Sequence, residues 1–247
     1  MNNYFLLILK KNLQNENLFH IIYEDKRLII LNKKQKIPVH SGTKINFCII
    51  DQLRKTYFKF YKLDLIQRLD KDVSGILLIL KNNLHLLNVN NFFKFNIIRK
   101  NYLALIKDIN YIDKYKQINY SLIKWKIFSR EYRMRVHKKS SQFKIIIKKI
   151  FNFFYYSLIG IELFSGKTHQ IKVQLSSCGY TIIGDNKYGN IEINNFLYYN
   201  LNFQNTFLHA INLEFFHPFD GKKIKVKAPI PLVYKNLLLS LKKQLKN

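Results

Sequence analysis

The chain has 247 residues, 48% of them hydrophobic, with 42 Lys and Arg against 15 Asp and Glu and a formal net charge of +27. That apolar content can bury a sizeable core and excludes a disordered basic tail, while 8 Gly and 4 Pro exclude a collagen-like or linker-dominated chain. A charge excess this large opposes the compact state unless a polyanion neutralises it, so a nucleic acid is the expected partner.

An anionic membrane surface competes for the same charge. The basic residues, however, run through the whole sequence rather than gathering in one amphipathic helix or one end. Part of the excess belongs to composition, because Asn, Lys and Ile are abundant throughout, as A- and T-biased codons produce. Cys48 and Cys178 lie far apart with no CxxC pairing, which excludes a zinc ribbon and gives no disulfide framework. Both are expected to be reduced and buried. The opening "MNNYFLLILKKN" lacks a basic leader and a small-residue cleavage site, and its apolar patch is far below the roughly 20 residues of a spanning helix. Cytoplasm is the expected compartment.

Residues 1–19 read as a short amphipathic extension, a short helix or an added strand, and 20–247 as one domain. "HIIYEDKRLIILNKK" predicts a hairpin, two apolar runs around an acidic turn. "KINFCIIDQLRKTYFKFY" places Phe47, Ile50, Leu53 and Tyr57 at helical spacing. "GILLIL" behind a glycine predicts a buried strand, "LHLLNVNNFFKFNIIR" a helix and "KNYLALIK" another strand. Residues 109–157 alternate apolar and basic side chains, as antiparallel strands with one wet, basic face do. "GKTHQIKVQLSSCGY" predicts a helix carrying Ile171, Leu175 and Cys178, entered from a Gly turn, and "TIIGDNKYGN" a Gly-rich loop. "LHAINLEFFHPFDGKKIKVKAP" predicts strand, turn and strand, and "PLVYKNLLLSLKKQLK" a closing helix. The sum is an α+β fold with a largely antiparallel sheet.

Three stretches carry candidate chemistry. In "LIQRLDKDVSGILLIL", Asp70 sits between Arg68 and Lys71 at the entrance to a strand. A carboxylate among cations is ionised at neutral pH, which suits a nucleophile or an electrostatic stabiliser rather than a proton donor. The plain alternative is a solvated turn of alternating charge. In "SGKTHQIKVQL", Lys167, His169 and Gln170 precede a helix and can face phosphate. A lone His in such a turn is more often a hydrogen-bond anchor. Tyr102, in "RKNYLALIK", can stack on a base or belong to the core, and taken alone the core reading prevails. Metal, nucleotide-cofactor and serine-hydrolase motifs are absent from the sequence.

Taken in order, these segments resemble the RluA family of pseudouridine synthases, which turn a uridine within an RNA chain into its carbon-linked isomer. "IIYEDKRLIILNKK" is similar to that family's opening motif, and "QRLDKDVSGILLIL" to its "HRLDKDTSGLLL". "KNYLALIK", "GKTHQIKVQLSSCGYTIIGDNKYGN" and "FLHAINLEFFHPFDGKKIKVKAPIP" resemble the later motifs. The likeness runs from about His20 to Leu241 and is weakest over 109–157. "VHSGTKINFCIIDQLR" and "DNKYGN" look closest to the RluC branch, whose members act on large-subunit ribosomal RNA.

The resemblance implies the pseudouridine synthase fold, a cleft across its sheet, base flipping and no cofactor. It implies a catalytic aspartate at Asp70, a base-contacting tyrosine at Tyr102, a basic partner for the aspartate at Lys172 and a flipping arginine at Arg68. Lys71, Lys167, His169 and Gln170 join Arg68 as expected substrate-binding residues, with no metal ligand. RNA, most of all ribosomal RNA, is the implied partner, without DNA or membrane, for a monomer. Gln67, Lys34, Val73 and Gln174 stand where the family commonly has His, Pro, Thr and His, and Lys167 and Lys172 where Arg is common. Lysine keeps the charge but loses the planar fork. The branch also carries a small N-terminal RNA-binding module, for which 19 residues are too few; the high positive charge is expected to compensate. A tRNA-directed enzyme of the same family and a non-catalytic ribosome-assembly factor are the competing readings.

Overall fold

The computed structural model describes residues 18–41, 47–57, 62–95, 98–107, 114–128, 131–137 and 142–244. All but the last two residues of the expected extension lie outside them. The described chain contains strands β1 (Phe19–Glu24), β2 (Leu28–Lys33), β3 (Asp64–Leu65), β4 (Ser74–Leu80), β5 (Arg99–Lys107) and β6 (Tyr115–Asn119). Further strands are β7 (Ser121–Phe128), β8 (Glu131–His137), β9 (Lys144–Phe153), β10 (Tyr156–Leu163), β11 (Thr181–Ile182), β12 (Leu208–Phe216) and β13 (Lys223–Lys227). The helices are α1 (Ile49–Tyr57), α2 (Leu86–Phe95), α3 (Gln170–Ser176), α4 (Ile191–Leu201) and α5 (Leu232–Gln244). Eleven strands form one large, mostly antiparallel sheet, and β7 pairs with β8 alone as a ribbon. The α+β expectation therefore holds.

The chain divides into two compact units: 1–98 with 213–229, and 99–212 with 230–247. The first has the strand order β1–β2–β4–β12, with β3 beside β4 and β13 beside β12. β4 is buried at every position, and its partner β2 is buried at five of six. Such continuous apolar runs belong to strands covered on both faces. The expected hairpin over "HIIYEDKRLIILNKK" is β1–β2, whose turn is tied by Asp25 Oδ1 accepting from Arg27 N and Leu28 N, both at 2.7 Å.

The second unit has the order β12–β5–β10–β9–β6, with β11 beside β5. β10 alternates half-buried and buried positions along its whole length, the period of a strand with one covered face. Its core gathers Leu103, Leu105, Ile183, Leu197, Phe207 and Tyr234. The Phe207 and Tyr234 rings stack with centroids 3.9 Å apart, and the Tyr234 hydroxyl donates to the Thr206 carbonyl.

Two expectations need correction. α3 ends at Ser176, so Cys178 is not on its apolar face; it lies half-buried in the next turn, where Cys178 N donates to Leu175 O at 3.0 Å. Residues 170–175 are buried all round, so no single apolar stripe ran through the segment. α4 was not anticipated, because only Leu197 of its apolar side chains is buried and no one-sided pattern results. Its readable signal is the cap: Asn190 Oδ1 accepts from Ile193 N at 2.9 Å.

Gly184 and Gly221 both hold positive φ, +75° and +71°, but only Gly184 is crowded: a Cβ there would lie 1.9 Å from the Asn205 carbonyl oxygen. Gly184→Ala is expected to cost about 3 kcal/mol in urea denaturation, whereas Gly221→Ala, with nothing within 4 Å, costs only the left-handed strain of about 1–2 kcal/mol. Equal losses would rule out the close approach as the cause.

Candidate active site

In the first unit the Asp70 segment is the turn that feeds β4. Val73 N donates to Asp70 O at 3.1 Å and closes it. Leu69 and Val73 are buried, Asp70 is half-buried, and Arg68, Lys71 and Asp72 are exposed. Two apolar plugs thus anchor the turn on either side of the half-buried Asp70. Gln67, in the usual place of a His, donates its Nε2 to Ile76 O at 3.3 Å, so the amide pins the approach to β4. Arg68 lies near enough to His40 to act, after burial, in holding that imidazole below its usual value.

The turn is clamped from beneath by a residue the motifs did not single out. Lys33, the last residue of β2, is fully buried. Its Nζ donates to Lys34 O and Ile37 O at 2.9 Å and to Lys71 O at 3.0 Å. Three carbonyls accept the three protons of a charged ammonium. Burial nonetheless pushes Lys33 down to about 7, against the pull of Asp72 and Asp70. Beside it Gln35 Nε2 donates to Asp72 O at 3.0 Å. The available signal was a lysine continuing the buried run "LIIL" of β2, a placement that needs buried acceptors.

In the second unit Tyr102 lies in β5 opposite Ile161 and is 7% exposed, as the core reading anticipated. Lys172, in α3, forms an ion pair with Asp185: Nζ to Oδ2 is 3.5 Å, with side chains 5% and 2% exposed. Asp185 also organises its own turn. Its Oδ1 accepts from Lys187 N at 2.9 Å and Tyr188 N at 3.4 Å, while its carbonyl accepts from Gly189 N at 3.0 Å. Asp185 was not assigned from the sequence; an acidic residue inside "GDNKYG", in a chain poor in acids, was its signal.

The segment before α3 is held by neutral amides. Gln170 Oε1 accepts from Ser165 Oγ at 2.8 Å and Lys167 N at 3.2 Å, and Gln170 Nε2 donates to Gln174 Oε1 at 3.3 Å. Gln174, another replacement of a usual His, passes its protons to Phe143 O at 2.6 Å and Tyr120 O at 3.1 Å. Gln170 is thus buried, with both ends of its amide hydrogen-bonded. His169 holds a left-handed conformation, φ 54°, with its Nδ1 3.0 Å from the Tyr188 hydroxyl. Lys167 remains exposed, its Nζ 5.2 Å from the centre of the Phe143 ring. Among the described residues no group of three or more His, Cys, Asp or Glu is placed to hold a metal ion.

The fold is that of solved pseudouridine synthases. Human RNA pseudouridylate synthase domain containing 4 superposes with a TM-score of 0.72 at 20% identity, covering 97% of this chain and 98% of that one. The human domain containing 1 protein gives 0.69 at 19% identity, over 91% and 94%. A family model described as RNA pseudouridylate synthase matches residues 27–177. The ribosomal large subunit pseudouridine synthase C of Buchnera aphidicola (subspecies Baizongia pistaciae) is 35% identical over 90% of this chain and 70% of its own length. The Haemophilus influenzae protein of the same name is 34% identical over 90% and 68%. The chain belongs to the RNA pseudouridylate synthase family and is an RNA pseudouridine synthase.

Two outcomes follow from the buried cations. Lys33→Met leaves three carbonyls without their donor and is expected to lose about 3 kcal/mol or more in chemical denaturation. Between about 7 and the unperturbed 10.5 the native Lys33 binds less proton than the unfolded chain, so wild-type stability climbs with pH across that window. The climb, measured against Lys33→Met, is expected to be missing from the variant. Lys172→Met strands a buried Asp185 and is expected to cost about 3–5 kcal/mol. Adding Asp185→Asn, which keeps an oxygen for Lys187 N, recovers part of the loss; no recovery would mean that the charge pair is not the cause.

Proposed function

We propose that this chain isomerises uridines of large-subunit ribosomal RNA, with Asp70 as the residue on which the chemistry turns. The observation that carries the reading is the Asp70 turn itself: a half-buried aspartate in a loop pinned by Lys33, Gln35 and two buried apolar residues. A side chain held this way keeps its aim while a substrate is pulled into place. The names of the relatives support the ribosomal substrate.

In the reaction the glycosidic bond breaks, the uracil turns over and its carbon joins the same ribose. Atoms balance without oxidation or hydrolysis, so the protein has to supply position, charge and shelter. The target base leaves its stack to be reached. Asp70 either attacks the sugar carbon or stabilises the positive charge that grows there as uracil departs. An alternative route removes a proton from the sugar's 2′ carbon, with Asp70 or Tyr102 assisting. Tyr102 contacts the base, Lys172 supplies the cation for the aspartate, and Arg68 with Lys71, Lys167 and His169 meets the RNA. The order of the motifs along the chain, rather than a measured distance, assigns Tyr102 and Lys172 to the reaction of Asp70. Gln170 serves the same RNA by fixing the backbone of its own loop. The same reading has the protein act as a monomer in the cytoplasm. Among the described residues no helix is long and apolar enough to cross a membrane.

Purified protein incubated with unmodified large-subunit RNA is expected to yield pseudouridine, mapped by chemical labelling. Asp70→Asn and Asp70→Ala are expected to lose activity by about 10⁴-fold or more while still binding RNA. Activity retained in Asp70→Ala sinks the assignment. RNA bound without product by the wild type favours an assembly factor, and product on tRNA alone moves the substrate.

A further inference from the structure

The β7–β8 ribbon lies in the stretch that the family motifs leave unclaimed, yet its side chains are arranged with regularity. The register pairs Ser121 with His137, Ile123 with Arg135 and Trp125 with Arg133. Directly opposed residues share a face of a two-stranded ribbon, so Trp125, Arg133, Arg135 and His137 project from one side. All four are exposed, Trp125 by 48%. The guanidinium carbon of Arg135 stands 3.6 Å from the centre of the Trp125 ring, covering one side of the indole and holding it in place. On the other face Lys124 Nζ lies 4.1 Å from the centre of the Tyr132 ring, above half-buried Leu122, Met134 and Val136.

The ribbon is also braced. Met134 N donates to the Tyr188 hydroxyl at 3.1 Å, and Arg133 Nη1 donates to Lys187 O at 3.2 Å. Both partners belong to the turn that Asp185 organises next to Lys172. Whatever settles on the exposed face is therefore held at a fixed place relative to that turn.

We infer that this face is an RNA-holding surface, on which Trp125 stacks against an unpaired base while Arg133, Arg135 and His137 meet the flanking phosphates. The inference rests on the reading that the substrate is RNA, and deepens it by naming where an unpaired segment is gripped. Residues two apart on a strand stand roughly 7 Å from each other, so one ribbon edge offers cations at a repeat suited to successive phosphates of an extended strand. Aromatic faces alternating with cations are the arrangement that binds single strands without reading their sequence. A membrane-binding face needs a contiguous apolar surface instead, whereas the paired residues described on this face set Trp125 and Ile123 among Ser121, Arg133, Arg135 and His137.

Trp125 is the single tryptophan of the chain, so its emission reports on the ribbon alone. Titration with an unstructured large-subunit RNA fragment, with binding followed in parallel by gel shift, is expected to quench it. Trp125→Ala is expected to raise KM about tenfold, with the loss concentrated in KM rather than kcat, and Trp125→Phe to restore most of the affinity. Arg135→Ala is expected to lower the salt slope of binding by about one. RNA bound with emission unaltered, or Trp125→Ala binding like the wild type, overturns the ribbon while leaving the enzyme reading intact. Quenching without product supports the ribbon and counts against the enzyme reading. Quenching by phosphatidylserine vesicles but not by RNA overturns the inference in favour of a membrane surface.

Discussion

A single buried lysine ties the Asp70 turn to the central strands of the first unit. Lys33 takes an ammonium out of water, which is costly, and sets it among three carbonyls, one of them from the Asp70 turn itself. That contact joins the end of β2 to the entrance of β4 across residues 33 to 71, so the placement of Asp70 depends on the central strands rather than on the turn's own short-range bonds. Asp70 and Asp72 both pull on this ammonium. Asp72 also lends its carbonyl to Gln35, while the Asp70 carbonyl closes the turn with Val73 N.

The second unit solves the equivalent problem with fewer charges. One buried ion pair, Lys172 with Asp185, stands beside a chain of amides from Ser165 through Gln170 and Gln174 to the carbonyls of Tyr120 and Phe143. Amides have no protonation state near neutrality, so this scaffold does not titrate. Where the family commonly has a His, Gln174 supplies two donors at 2.6 and 3.1 Å, so this departure keeps the bracing role with a different side chain.

β4 and β10 were legible because their burial is uniform or strictly alternating. "GILLIL" is buried throughout, and β10 alternates residue by residue. α4 was not legible, since a helix that buries one leucine writes no periodic pattern, and its asparagine cap was the only sign. The short extent of α3 was hidden for the opposite reason: six consecutive buried residues mask the end of the helix. At the site, Asp70 stood out as an acid in a basic chain, whereas Lys172, one of 42 basic residues, was reached through the family resemblance alone. Lys33 and Asp185 were passed over because their partners are backbone groups and a residue distant in sequence. The ribbon's basic, wet character was visible as alternation, but the stacking of Arg135 on Trp125 depends on a cross-strand register that sequence does not display.

The division of the chain has a consequence for how the protein is made. Neither unit is continuous: residues 213–229 return to the first after 114 residues of the second, and the crossing falls inside β12. During synthesis β4 emerges with β2 along one edge and the two-residue β3 against the end of the other, and the rest of that edge waits for β12. An apolar strand with an open edge is a site for wrong pairing. The nascent chain thus passes through an interval in which part of its fully buried strand is finished but unpaired, until residues 208–216 have been made.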